Sequence, residues 1–202
     1  VFLEKGAKNE IKIDADDNLH DNLSFDIKEK TLRIYTSKEI VSFKKLVIKI
    51  TYTNDLKSVI AKNATIINAL EAVMLDDITF SSLDFAKLYL NVNSKNFTLL
   101  ADDKSKIELN LKAEKAKIQL SKNAQVKALI TTTDLAFDMY QKATATIEGD
   151  ATNAVIRQDN NSVFTGFNFT IKNADATTEG SAICNLMADT SLIVDADKTS
   201  KI

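Results

Sequence analysis

The chain has 202 residues, with no proline, four glycines and a net charge of −2. Average usage would give about ten prolines and fourteen glycines, so residues that interrupt regular structure are scarce. The 45% apolar fraction and the near-neutral charge exclude a disordered chain and a nucleic-acid binder that relies on bulk positive charge. A single cysteine, Cys184, excludes an intrachain disulfide and a thiolate zinc cluster.

Isoleucine, valine and threonine together number 49, and asparagine adds 17. This composition favours strands joined by asparagine-type corners. No apolar run approaches the roughly 18 residues that a membrane span needs, so we expect no span in this segment. The chain opens on Val1 with no basic or apolar leader region, and we expect any signal peptide or lipid anchor to lie upstream of Val1.

The first part of the chain contains three segments in which apolar and polar residues alternate, at residues 10–14, 31–35 and 46–52. Alternation with a period of two predicts strands, and the polar stretch 15–22 predicts a turn. We expect these strands to pair among themselves and to form a cap over residues 1–55, because an uncovered solenoid end is an open edge.

A small residue recurs at every nineteenth position along the rest of the chain. Its positions are Ala86, Ser105, Ala124, Ala143, Ser162, Ser181 and Ser200. An apolar side chain follows at the second position after each, at Leu88, Ile107, Val126, Ala145, Phe164, Ile183 and Ile202. A looser unit begins at Ala64 with Ile66, and the repeat is interrupted at Asn173 and Asp175.

Each repeat carries a second apolar alternation in its later half, as at Ala116 and Ile118 in the repeat that begins at Ser105. Two segments with a period of two indicate two strands per repeat, each with one inward face. The pattern predicts an all-β protein, a single-stranded right-handed parallel β-helix with about 19 residues per rung. We expect one domain over 1–202, with the cap at 1–55 and the rungs at 56–202.

The column of small residues predicts tight corners. In three rungs the residue just before the small one is Asn123, Asn161 or Gly180, and these residue types accept a positive φ. A left-handed residue at this position would support a tight turn there. Lys104, Lys142 and Thr199 occupy the position in the other three rungs, so we do not expect this corner to be left-handed in every rung.

Several segments carry a family resemblance. They are residues 12–18 (KIDADDN), 31–34 (TLRI), 56–60 (LKSVI) and 62–65 (KNAT), with the later Asn-Ala, Asn-Ser and Gly-Ser corners. Together they resemble the putative autotransporter adhesin, head GIN domain family of bacterial surface or periplasmic proteins. The resemblance implies an exported right-handed β-helix, in the periplasm or on the outer cell surface, with no established ligand.

Residue types that carry chemistry are few. His20 is the single histidine and lies in a polar turn far from Cys184, so the sequence offers no nucleophilic triad. Asp14, Asp16 and Asn18 have the spacing of the first calcium-loop ligands, but the glycine and the final glutamate of that loop are missing, which favours a solvated turn. We predict no catalytic, cofactor-binding or metal-binding residues.

One alternative is a carbohydrate-active enzyme. Asp84 and Asp103 lie two positions before the small residue in neighbouring rungs and would form a pair of stacked carboxylates. In the same column Lys122 would lie beside Asp103, and Lys198 beside Glu179, as charge compensation between rungs. The only arginines, Arg33 and Arg157, are too few for a cluster that clamps a substrate.

The outer face of the first strand becomes less charged toward the C-terminus, and the repeat places Ala182 and Cys184 outward. Phe167 and Leu186 fall one place after the positions that are inward in earlier rungs. A one-residue bulge would turn both inward, which is the interpretation we favour. The alternative is an outward apolar strip that contacts another subunit or a partner protein.

These observations predict a non-enzymatic, exported structural or adhesin-like surface module. The expected partners are a surface protein or a glycan, and no nucleic acid is expected. A further alternative is a self-assembling element, a homo-oligomer that forms through the C-terminal rungs, where residues 191–202 would present an unpaired strand edge.

Overall fold

The structure, a computed structural model, describes residues 1–19, 21–38, 43–197 and 199–202. A 3-10 turn lies at Asp17–Leu19, and among the described residues no helix is long and apolar enough to cross a membrane. The strands are β1 (Phe2–Lys5), β2 (Glu10–Ala15), β3 (Leu23–Lys28), β4 (Thr31–Thr36), β5 (Leu46–Tyr52), β6 (Ser58–Ala61), β7 (Ile66–Ser82), β8 (Lys87–Ala101), β9 (Lys106–Leu120), β10 (Gln125–Met139), β11 (Thr144–Gln158), β12 (Val163–Thr178) and β13 (Ile183–Ala196).

Seven long parallel strands, β7 to β13, stack in chain order as the rungs of a β-solenoid, which confirms the predicted fold class. From β8 to β11 nearly every residue pairs with its counterpart one repeat later, as Ile107 pairs with Val126. Each position therefore forms a column of equivalent residues along the molecule. The two strands predicted per repeat are the two halves of one long, bent strand.

The core lies inside this coil because each long strand lines it twice. In β9 the inward residues alternate up to Leu111, then Glu114 and Lys115 both point outward, and alternation resumes with the buried Ala116 and Ile118. Two consecutive outward residues shift the inward–outward alternation by one position, so the inward side chains of both halves of the strand face the same core. The inner columns hold large side chains such as Phe137 and Phe164, whose rings meet edge to face at 5.3 Å.

The corners use a different position from the one predicted. In the turn that joins β9 to β10, the N–H of Ala124 donates to the carbonyl of Ser121, and the left-handed residue is Lys122 (φ 56°) rather than Asn123. Equivalent turns have their positive φ values at Asn63, Asp84, Asp103, Gln141, Asn160 and Gly180. A β-turn can require the left-handed conformation at its first central residue, and these corners do so.

A one-residue bulge in β12 changes the register of the last rungs. Thr146 pairs with Thr165, but Glu148 pairs with Asn168, so the step from Ser162 leads to Ala182 and not to Ser181. Cys184, predicted outward, pairs with Phe164 and is fully buried. The prediction for Ile183 was also wrong, because it is half-buried on the outer side.

The bulge also accounts for Phe167, Leu186 and the apparent break in the repeat. The predicted register shift is confirmed, but Phe167 itself points outward and is 66% exposed, because Gly166 takes the inward place. Leu186 is half-buried and packs against the core. Past the bulge, Ala174 and Ala176 fill the inward columns that the repeat had assigned to Asn173 and Asp175.

The first rung is out of register with the period of the later rungs. Ile67 pairs with Leu88 and is buried, whereas Ile66, which the looser unit placed inward, is exposed. The step from Ile67 to Leu88 is two positions longer than the later steps, so Thr65 and not Ala64 occupies the corner column.

The predicted N-terminal strands all form, with β1, β3 and β6 as further strands. The expectation that they pair among themselves holds for β2 and β5 but is wrong for β4, which pairs with β3 in a separate sheet. β2 pairs antiparallel with β5, and β5 pairs parallel with the unpredicted β1, which touches β7 through Phe2 and Asn68. These strands extend one half of the first rung, while β6 extends the other half. Leu3, Ile48 and Tyr52 are buried beneath this cap.

β3 and β4 form a separate two-stranded hairpin. Phe25 pairs with Ile34 and Ile27 pairs with Leu32, so these four side chains lie on one face. Phe25 and Ile27 are 59% and 75% exposed. A lone hairpin of this kind is only marginally stable, so it is expected to be a region of low local stability.

We predict that Gln141→Gly leaves the protein at least as stable as the parent chain. Gln141 has φ 61° and its side chain makes no hydrogen bond in the described structure. Relief of the left-handed backbone gains about 1–2 kcal/mol, against an entropic cost of about 0.5–1 kcal/mol for glycine. Urea unfolding should therefore give an unfolding free energy that is unchanged or up to about 1.5 kcal/mol higher. The control Gln141→Val should lower the unfolding free energy, because a β-branched residue tolerates positive φ poorly. A Gly variant that is less stable than the Val variant would contradict this account of the corner backbone.

Candidate functional site

The paired carboxylates proposed from the sequence lie at neighbouring corners, but both serve the turns. The Asp84 carboxylate accepts a hydrogen bond of 2.9 Å from the N–H of Asn63, in the preceding corner. Asp103 pairs with Lys122 at 2.7 Å, which confirms the predicted compensation between those two residues. Both aspartates have left-handed backbones. The pair therefore has a structural use in the fold.

Asp102, which no sequence pattern singled out, is the most heavily bonded of these corner carboxylates. It accepts hydrogen bonds from the Ser121 hydroxyl at 2.7 Å, the Asp103 N–H at 2.8 Å and the Lys122 ammonium at 3.0 Å. Burial raises the pKa of Asp102, but these donors outweigh burial and leave the pKa below its usual value. Hydrogen bonds from Lys122 to Asp103 and then Asp102 raise the pKa of Lys122. These contacts thus favour the charged forms of Asp102 and Lys122.

The candidate calcium loop also has a structural use. Asp14 pairs with Lys45 at 2.6 Å, and the Asp16 carboxylate accepts hydrogen bonds from the backbone N–H groups of Lys44 and Lys45 at 2.6 and 3.1 Å. Both contacts fasten the start of β5 to the end of β2. No group of three or more His, Cys, Asp or Glu side chains in the described part of the chain could hold a metal ion.

Two of the residues named from the sequence lie outside the described residues. They are His20 and Lys198, so the predicted contact between Lys198 and Glu179 stays a prediction. Arg157 lies 3.6 Å from Asp138, and Arg33 lies in the hairpin, in β4.

A surface groove of about 820 Å³ runs across the rungs where the long strands bend. Each rung contributes the same three consecutive positions, a floor residue and its two outward neighbours. The triplets are Met74, Leu75 and Asp76 from β7, Asn93, Ser94 and Lys95 from β8, Lys112, Ala113 and Glu114 from β9, and Thr131, Thr132 and Thr133 from β10, followed by Asp150 and Thr152 from β11. We call this feature the bend groove. A second depression of about 410 Å³ adjoins it along one side and shares Asn93, Lys112 and Thr131.

The floor of the bend groove is a second column of small residues, which the reading of the sequence missed. Ser94, Ala113, Thr132 and Ala151 follow one another with the same period as the corner column. Ser94 and Thr132 are 8% and 5% exposed, and the Thr132 hydroxyl donates to the backbone carbonyls of Glu114 and Asp134. Small residues at this bend leave the concave space open, so the regular recurrence of this small-residue column could have located the groove in the sequence.

Charges around the bend groove are nearly balanced. Four lysines and three carboxylates line it. Lys95 pairs with Asp76 at 3.2 Å, and the Lys5 ammonium donates to the carbonyl of Met74 at 2.9 Å. The Thr131 hydroxyl donates to Asp150 at 3.2 Å. The walls therefore present amides, hydroxyls and compensated ions, without a strong field of either sign.

The last rung differs from the others because its inner side is open. Leu192 and Val194 lie in inward columns, next to Ala174 and Ala176, yet they are 47% and 46% exposed. The Asp197 carboxylate shapes the turn that follows, accepting hydrogen bonds from the N–H groups of Gly180 and Thr199. The bond from Gly180 is the main cause that lowers the pKa of Asp197.

The sequence of the whole chain, residues 1–202, matches the family described as putative auto-transporter adhesin, head GIN domain. The chain belongs to this family. The resemblance stated from residues 12–18, 31–34, 56–60 and 62–65 is thereby confirmed. No curated protein matches the chain.

Two solved structures show that the fold of this head GIN domain recurs. A crystal structure of a putative adhesin from Parabacteroides merdae is similar over the whole chain and 86% of its own length, with a TM-score of 0.76 and 14% identity. A putative adhesin from Bacteroides fragilis matches with a TM-score of 0.57 and 13% identity, over the whole chain and 87% of its own length. At these identities the likeness is one of fold alone.

We predict that the Cys184 thiol of this head GIN domain is inert in the native state. Its side chain is fully buried, and burial raises its pKa to about 12. Because the thiolate is the reactive form, labelling by an aromatic disulfide reagent at neutral pH should be far slower than in the unfolded chain. The thiolate fraction should rise only as the pH approaches that high value. Labelling of the folded protein as fast as in denaturant would contradict the inward position.

Proposed function

We propose that this chain is a non-enzymatic, exported adhesion module that displays binding surfaces on a rigid β-solenoid. The observation that carries the proposal is the structural use of every reactive group singled out above within the described residues. Asp84 and Asp103 bond to neighbouring corners, Asp14 and Asp16 fasten β2 to β5, and Cys184 is buried. Membership of the adhesin head family supports the same function and an exported location.

The scaffold suits adhesion physically. Each rung from β8 to β12 pairs with a rung on both sides, so the outward side chains stand on a backbone with little freedom to move. A surface that is already ordered loses little conformational entropy when it binds a partner. A protein or glycan on another surface is the partner this proposal expects.

We predict that beads coated with the purified chain are retained on surfaces bearing glycans or extracellular proteins. Albumin-coated beads serve as the control, and the same samples are incubated with soluble polysaccharides to detect new reducing ends. Retention above the control without turnover is the expected result, because a rigid displayed surface binds but the described residues hold no free reactive cluster. Reproducible turnover of a polymer, with no retention on any surface, would overturn the proposal and favour the enzyme alternative.

End-to-end assembly is a second candidate function, favoured by the last rung. Leu192 and Val194 are core-type residues left half-exposed, and beyond the bridge from Ile183 to Lys201 the outer edge of β13 has no partner among the described strands. Open strand edges recruit other strands, although charges such as Asp195 oppose this. Sedimentation of the purified chain without beads tests this candidate, since a monomer at every concentration would exclude end-to-end assembly.

A further inference from the structure

The bend groove is a built feature of the rungs. Its floor is the column of Ser94, Ala113 and Thr132, and its walls are the outward neighbours of those residues on each strand. Ser94 is 8% exposed, and its buried hydroxyl has no hydrogen-bond partner in the described structure. From β7 to β11 the groove crosses five rungs, which is roughly 19 Å at the usual strand spacing. It is therefore long, shallow and aligned with the axis of the coil.

The walls exclude three classes of ligand. Apart from one position per rung, at Lys95, Glu114 and Thr133, the backbone of these strands is paired with its neighbours, so the groove holds no continuous free strand edge for a peptide to extend. The near balance of charge excludes a nucleic acid, whose binding depends on net positive charge. A lipid chain needs continuous apolar walls, whereas Asn93, Thr131 and Thr133 make these walls polar.

What the groove does offer is a row of groups that both donate and accept hydrogen bonds. Amides and hydroxyls line it from β8, β10 and β11, as at Asn93, Thr133 and Thr152. Between them β9 contributes Lys112 and Glu114, which donate and accept hydrogen bonds respectively. Sugar hydroxyls have the same dual character, and a linear polymer of sugars matches an elongated groove. We propose that the bend groove binds a linear, uncharged glycan whose chain runs along the solenoid axis. This inference rests on the proposed adhesive function and names its ligand class.

The test uses linear gluco-, manno- and xylo-oligosaccharides as probes, with affinity measured by titration calorimetry. Thr133→Arg fills the groove, whereas Thr146→Arg makes the same change on an outward threonine outside it. Affinity for a bound probe should fall at least about tenfold in the groove variant, the loss that one or two hydrogen bonds represent, and should be unchanged in the control. Thr152→Arg blocks the groove from the next rung and should repeat the loss, so one misfolded variant cannot decide the result.

The outcomes separate this inference from the proposed function. Equal loss in Thr146→Arg, binding to none of the probes, or preference for charged glycans would overturn the groove assignment. If beads are still retained on surfaces in those cases, adhesion stands and only its site is wrong. If neither retention nor probe binding is seen, the proposed function fails as well.

Discussion

The rung-to-rung parallel ladder is the constraint on which the rest of the structure depends. From β8 to β11 nearly every residue lies beside its counterpart in the next repeat, so each inward column must repeat one chemical character. Inward columns hold apolar side chains, corner columns hold small ones, and the floor of the bend groove holds Ser94, Ala113 and Thr132. A single inserted residue near Phe167 is enough to exchange the inward and outward roles of Ile183 and Cys184.

The same ladder explains the unusual use of chain-breaking residues. A proline within a rung would delete a ladder hydrogen bond, and its ring would not fit between paired strands. Glycine is scarce for a different reason, because the corners place aspartate, lysine, glutamine or asparagine in the left-handed conformation. Some of these residues offset the strain through contacts between corners, as Asp103 does with Lys122. Gly149 is retained where φ is 106° and a Cβ would collide with the carbonyl of Ile130.

Much of the fold could be predicted because the same residue pattern recurs in every rung. The columns of Ile107 and Ile118 are inward as the period requires, and the N-terminal strands predicted at 10–14, 31–35 and 46–52 all form. The predictions failed where the structure departs locally from the period. The left-handed residue of the corner is set by turn geometry, and the bulge at Phe167 shifts the register of the residues after it. The bend groove does not follow from apolar periodicity, because its floor column mixes Ala113 with the polar Ser94 and Thr132, and only the recurrence of small residues indicates it.

Stability that comes from stacking between rungs must be lowest where the stacking ends. Native-state hydrogen exchange measures this directly, one amide at a time. Amides of β8 to β11, which have neighbours on both sides, should exchange only with global unfolding. Amides of the β3–β4 hairpin and of the second half of β13, with its exposed Leu192 and Val194, should exchange much faster. Equal protection in all these strands, or fast exchange in the central rungs, would contradict the dependence of the fold on stacking.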